Sequence, residues 1–200
     1  MNTTSVTKKE RTLRIISLTI TVAIMILIFV QSAMPDYLSA EESNIIVVLI
    51  TNIIEKTGRT VSNEELLQFL VRKTAHFTEY AAFGASLFAT VGAFLGRKLL
   101  AGGRSDLSGE NIGRPGNPSV DTKKDTALMR CLRILFFIAW SAGVLYAVTD
   151  EIHQLFVPGR YGQWTDVAID AAGVALGALI CLLVLGKHTA RKHANHADGE

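Results

Sequence analysis

The sequence predicts an all-α fold: a polytopic membrane four-helix bundle with an extra amphipathic helix in the first outer loop. Three observations predict it. Of the 200 residues 49% are hydrophobic and only 19% charged, with a mean hydropathy of +0.31, whereas charged residues make up about 25% of a typical soluble domain. Four apolar runs, residues 13–30, 75–95, 134–149 and 167–185, approach the ~20 residues that a helix rising ~1.5 Å per residue needs to cross a ~30 Å hydrocarbon layer. The third reaches that length only if its helix continues through Glu151 toward Gln154. The basic residues also sort by side. Fifteen of the twenty Lys and Arg fall in the N-terminal segment, the second loop and the tail, and the other five are Lys56, Arg59, Arg72, Lys73 and Arg160. The positive-inside rule then expects a membrane protein with both termini and the second loop cytoplasmic, and loops one and three outside.

Residues 1–10 are polar and loose, within a cytoplasmic N-terminus of residues 1–12 ahead of the first apolar run. A cleavable signal sequence has a similar charged start. This run is long for one, however, and neither QSA nor LSA after it is a good small-x-small cleavage site, so a retained span is expected. Pro35 has no amide hydrogen and disfavours helix at Met34, so the span ends near Gln31 and Ser32, at the outer boundary.

Residues 41–58, EESNIIVVLITNIIEKTG, give the amphipathic outer helix: an acidic start, an apolar stripe of Ile45, Ile46, Leu49, Ile50, Ile53 and Ile54, then Lys56 and Gly58 at its end. It is short between its polar ends and is expected in the membrane interface or over the bundle mouth. Ser62 and Glu65 fit a capping box opening a helix that runs unbroken from Glu64 through Leu95. On it Lys73, His76 and Tyr80 fall within an arc of roughly 60°, with Glu79 about 60° further round. Ala81, Gly84, Ala85 and Ala89 below them let another helix approach closely.

Residues 96–124 turn polar and rich in Gly and Pro, which reads as a flexible cytoplasmic loop within a membrane domain of residues 13–185. Residues 186–200 form a cytoplasmic tail, expected to be solvated and disordered, in which His188, His193 and His196 could bind metal only weakly. Cys131 and Cys181 lie near cytoplasmic ends of spans, where no disulfide is expected. There is no Walker loop, dinucleotide fingerprint, nucleic-acid module or internal repeat, so no nucleic-acid partner is expected.

The densest chemistry lies in residues 150–170, DEIHQLFVPGRYGQWTDVAID, between the third and fourth runs. Ionisable groups at a membrane boundary are unfavourable unless paired or hydrated, and so mark a functional site by default. On the third span Gly143, Ala147, Asp150, Glu151 and Gln154 share a face flanked by Tyr146 and His153. On the fourth Asp166, Asp170, Gly173 and Gly177 align, the two glycines forming a GxxxG pair. Pro158 and Gly159 make the reversal between them.

Several chemistries fit this cluster. His76, Glu79, Glu151 and His153 are candidate catalytic groups and, with Asp166 or Asp170, candidate ligands for a divalent metal in a hydrolase or transferase acting on a lipid-linked substrate. Without metal, Lys73 and Arg160 offer cationic donors to a phosphate or carboxylate, and His76, Glu79 and Glu151 could move protons. A small proton-coupled carrier is a further reading. Alternatively Lys73, Arg160, Asp150, Glu151, Asp166 and Asp170 form a paired network that fixes helix register. Register explains any single one of these residues better than chemistry does. It explains less well why three spans bring acids, bases and two cations together. Trp164 reads as an aromatic-belt anchor.

The motifs QSAMP (residues 31–35), RKTAHFTEYAAFG (72–84) and TDEIHQLFVPGRYGQWTDVAIDAAGVALG (149–177) resemble those of the VanZ-like membrane protein family. The likeness covers all four spans and leaves out the N-terminus, the basic loop and the tail. It implies a small bacterial membrane protein whose founding relative confers low-level resistance to the glycopeptide teicoplanin. It also implies functional positions at Ser32, Pro35, Lys73, His76, Glu79, Tyr80, Asp150, Glu151, His153, Gln154, Arg160 and Asp166. Where the family often has Asn in the fourth span this chain has Asp170, an added carboxylate. Residues and resemblance together lead us to expect an outer-facing polar pocket between spans two, three and four. Its expected ligand is an anionic envelope component, an amphiphile or a glycopeptide, in a setting of membrane lipid.

Overall fold

The computed structural model describes residues 7–105 and 120–197. They form five helices: α1 (Lys8–Ser32), α2 (Asp36–Lys56), α3 (Glu64–Ser105), α4 (Val120–Gln154) and α5 (Trp164–Ala197), with no strand among the described residues. All five are long and apolar enough to cross a membrane by length and composition. The chain is a multi-pass membrane protein of the all-α class.

Several helices start earlier or end later than the sequence patterns imply, for local reasons. α1 begins at Lys8, inside the segment expected to be loose, because Thr7 and Glu10 close a capping box. α2 starts at Asp36 rather than Glu41: Pro35, which cannot continue α1, serves as its N-cap with φ −53°. The cap of α3 is Asn63, not Ser62. Its Oδ1 accepts the Leu66 amide at 2.9 Å, the role expected of Ser62 in the box. α3 runs on to Ser105 and α4 begins at Val120, so much of the expected 96–124 loop is helical. Leu99, Leu128 and Met129 pack against the core residues Phe88, Cys131, Leu132 and Leu135, which holds these extensions to the bundle. Residues 106–119, the middle of that loop, lie outside the described residues, as do the side chains of His188, His193 and His196. α5 continues to Ala197, so the tail starts as helix rather than as a disordered end. Both cysteines are free.

α3 is the axis of the bundle. A Cβ on Gly177 would stand 1.8 Å from the carbonyl oxygen of Ala81, and one on Gly173 2.6 Å from that of Phe77. A Cβ on Gly84 would meet the Val174 carbonyl at 2.2 Å, and one on Gly143 would meet the Val174 side chain at 2.5 Å. Bare backbone on each partner lets α3, α4 and α5 close on one another, as the small-residue stripes predict. α1 joins through Thr21 Oγ1 to Thr90 Oγ1 at 2.8 Å and Tyr146 Oη donating to Met25 O at 2.7 Å. At one end of the bundle Arg14 Nε donates to Ala93 O at 2.9 Å and Arg97 pairs with Glu10.

α2 belongs to the opposite end. Arg72 Nη1 binds Asp36 at 2.9 Å, and Gln68 Nε2 donates to Ala40 O at 3.2 Å, so α2 leaves α1 heading toward the start of α3. Had α2 crossed alongside the bundle it would end about 31 Å away, with Glu64 about 12 Å beyond Arg72 in the other direction. The linker of residues 57–63 reaches at most about 25 Å. α2 is therefore the extra helix of the first loop, packed against the first turns of α3, and not a fifth crossing. Its expected stripe divides: Ile50 and Ile54 turn partly inward with buried Ser43 and Val47, while Ile45, Leu49 and Ile53 stay exposed.

Candidate functional site

The C-terminal turns of α1 and α4, the first turns of α5 and the second to fifth turns of α3 meet at the α2 end. Lys73 and His76 of α3, Glu151 of α4, and Asp166, Ile169 and Asp170 of α5 line a cavity there. It leaves about 10 Å³ for the centre of a water-sized sphere, room for about one water. Lys73 is ion-paired with Asp166 and lies 5.4 Å from the Phe69 ring centroid. Glu151 Oε2 accepts the Gln163 amide at 2.9 Å, which fixes the turn leading into α5. Beside the cavity, Asp150 Oδ2 accepts from Ser32 Oγ at 2.6 Å and from Gln154 Nε2 at 3.3 Å, and Gln154 Nε2 also reaches Ser32 Oγ at 3.1 Å. Asp150, Glu151, Gln154, Asp170 and Ser32 are all buried, and the Tyr80 side chain is wholly so.

Arg160 closes the mouth from the α4 to α5 turn. Its Nε donates to Met34 O at 3.1 Å and its Nη2 to Gln31 O at 3.3 Å, so it satisfies carbonyls left open at the C-terminus of α1. Burial lowers the pKa of this guanidinium, and Asp36 opposes the shift; an arginine stays charged throughout. The turn itself needs Gly159, at φ +80°, where a Cβ would sit 3.2 Å from that of Asp36. The Asp36 amide donates to Pro158 O at 3.4 Å, so the start of α2 and this turn support each other.

The sequence profile of the VanZ/LLP1 family matches residues 17–185, most of the chain and every residue just described. The chain belongs to the VanZ/LLP1 family. No curated protein and no solved structure matches it.

In this VanZ/LLP1 chain the expected positions separate into three groups. Lys73, His76, Glu151, Asp166 and Asp170 share the cavity. Ser32, Asp150 and Gln154 form a hydrogen-bonded triad behind it, and Tyr80 faces Asp150 from α3. Glu79 and His153 stand apart. Glu79 lies beside Gln31 and borders an open apolar groove between α2 and α3, lined by Ile46, Ile50, Leu67 and Leu70. His153 stacks on Phe29 with ring centroids 4.7 Å apart. The candidate metal and catalytic set of His76, Glu79, Glu151 and His153 is thus divided between separate surroundings. Among the described residues no three His, Cys, Asp or Glu side chains group so as to hold a metal ion. Trp164, Phe156 and Tyr161 are about four-fifths exposed at this end, where an aromatic belt would lie.

The pattern did not reveal the backbone roles. Gln163 acts through its amide, and Arg160 through main-chain acceptors, for which a sequence carries no signal. The ion pair of Arg72 with Asp36 had a faint one, an acid at the first position after a proline. Removing the Ser32 hydroxyl tests the triad. Ser32→Ala takes a donor from a buried carboxylate and is expected to cost about 1.5–3 kcal/mol, read as a lowered thermal unfolding midpoint in detergent.

Proposed function

We propose that this VanZ/LLP1 protein sits in a bacterial cell membrane with both termini in the cytoplasm. Its outer-end site takes the polar head of an anionic envelope amphiphile, and it thereby alters susceptibility to glycopeptides of the teicoplanin kind. The distribution of Lys and Arg supports the orientation. The observation that carries the binding reading is the two-sided character of α3. One side presents Lys73, the only Lys or Arg lining the polar cavity among the described residues. Another, within the same turns, borders the open apolar groove where Ile46 and Ile50 of α2 face Leu70, Val71 and Ala75. A head group can exchange for Asp166 on the Lys73 ammonium while its hydrocarbon tail lies in the groove. Both partners of that ion pair keep some access, with side chains 16% and 20% exposed.

The test is teicoplanin susceptibility in a bacterial host carrying this chain, the double variant Lys73→Met with Asp166→Leu, or neither. The double variant removes both charges together and keeps the volume. With membrane levels matched by immunoblot, it is expected to return the host to the susceptibility of cells lacking the protein. Unchanged susceptibility between wild type and double variant would refute the role of this site.

A further inference from the structure

Behind the Lys73 cavity the charges do not balance. Asp150 and Asp170 are 4% and 2% exposed and Tyr80 is 0% exposed. Asp150 Oδ1, Asp170 Oδ1 and the Tyr80 hydroxyl are buried, and among the described residues none meets a partner at normal hydrogen-bond distance and angle, the Tyr80 hydroxyl reaching toward Asp150 without closing on it. The Tyr80 hydroxyl lies toward Asp150 and within electrostatic reach of Asp170. Buried carboxylate oxygens without a donor or cation are strongly unfavourable.

The neighbouring cations have other partners. Lys73 holds Asp166, and Arg160 holds the carbonyls of Gln31 and Met34. Asp150 takes both of its hydrogen bonds, from Ser32 and Gln154, on Oδ2, which leaves Oδ1 open as an acceptor. The charged groups facing Asp170 are Asp150 and Glu151 from α4, Asp166 from α5 itself, and Lys73 from α3. These four acids outnumber the two cations within reach of them, Lys73 and the Arg160 that also acts on Asp150 and Glu151. From α1 the neutral Ser32 hydroxyl reaches Asp150.

We propose that Asp150, Asp170 and Tyr80 form a binding site for a small monovalent cation of sodium size, one turn along α5 from Asp166. Two carboxylate oxygens and a phenolic oxygen are hard donors, which suit an alkali cation over a softer metal. A divalent ion of the calcium class takes six to eight oxygens, more than the two carboxylates, one phenol and single water here supply. The cavity beside Asp170 has room for about one water, which would complete the coordination and join the site to the outer mouth. This inference concerns a positive ligand and stands apart from the amphiphile reading, whose head group meets Lys73.

The test is thermal unfolding of the purified full-length protein in detergent. NaCl replaces choline chloride stepwise at constant ionic strength and a fixed, mildly alkaline pH. The midpoint is expected to rise saturably, by about 5–10 °C at a hundredfold excess of Na⁺ over its Kd. Asp170→Asn is expected to melt above the wild type in choline, because one uncompensated carboxylate is gone, and to lose the Na⁺ response. Tyr80→Phe is expected to need more Na⁺ for the same rise. Equal midpoints in NaCl and choline chloride would overturn the proposal. So would a midpoint that follows pH with no effect of Na⁺, which would mean that a proton occupies the site. Retention of the full Na⁺ response by Asp170→Asn would also overturn it. If that variant does not fold, the wild-type titration still decides for or against a cation and Tyr80→Phe tests its location.

Discussion

Gly177→Ala is expected to separate α3 from α5 and destabilise the bundle by about 3 kcal/mol, the upper part of the range for overpacking a close-packed interior. The added methyl would stand 1.8 Å from the Ala81 carbonyl oxygen. That neighbour is helix backbone and cannot rotate away as a side chain could, so the two helices must part by more than about 1 Å to restore van der Waals contact. The same displacement would draw Asp170 and Asp166 away from Lys73 and Tyr80, since all lie on the faces these helices share. Reversible unfolding in mixed micelles measures the loss. Gly96→Ala is the control: a Cβ there meets nothing within 4 Å, and the exchange favours helix by up to about 1 kcal/mol. Equal stability for Gly177→Ala and wild type would contradict the close approach of α3 and α5.

The parts of the fold readable from sequence are those set by periodicity and by size. The stripes Ala81, Gly84, Ala85 and Gly173, Gly177 specify which faces meet, because only small residues allow backbones so close. The acids on the last turns of α4 and first turns of α5 sit on those same stripes, so their convergence follows from the packing. Features decided by main-chain acceptors stayed hidden. Nothing in the sequence says that Arg160 would turn to the α1 carbonyls instead of into the cavity, or that Asn63 would displace Ser62 as the cap. Glu79 and His76, three residues apart, looked like one constellation. The 60° between them was enough to send one to the cavity and the other to the α2 groove.

Lys73→Ala or Asp166→Ala alone is expected to lower stability by about 3–5 kcal/mol, the cost of leaving one charge of a buried pair without its partner. Both side chains are largely buried, and each variant removes its counterpart's ion-pair partner: Lys73 would be left with Glu151 and Asp170 in the cavity, and Asp166 would join Glu151 and Asp170 with no Lys or Arg lining the cavity among the described residues. Asp166→Ala is expected to lose less than Lys73→Ala, because Lys73 keeps Glu151 and Asp170 nearby, whereas among the described residues no second Lys or Arg lines the cavity beside Asp166. Matched losses from substitution of the exposed Arg59 would show that the effect is one of general charge and not of this pair.

That Lys73 of α3 and Asp166 of α5 meet at one end of the bundle is measured most directly by a double-mutant cycle on unfolding free energy in micelles, using Lys73→Met, Asp166→Leu and the two together. A coupling of about 3 kcal/mol is expected, with the double variant far more stable than the sum of the single losses implies. Additivity to within about 0.5 kcal/mol would show that the two side chains do not meet, and would remove the polar site on which the functional reading stands.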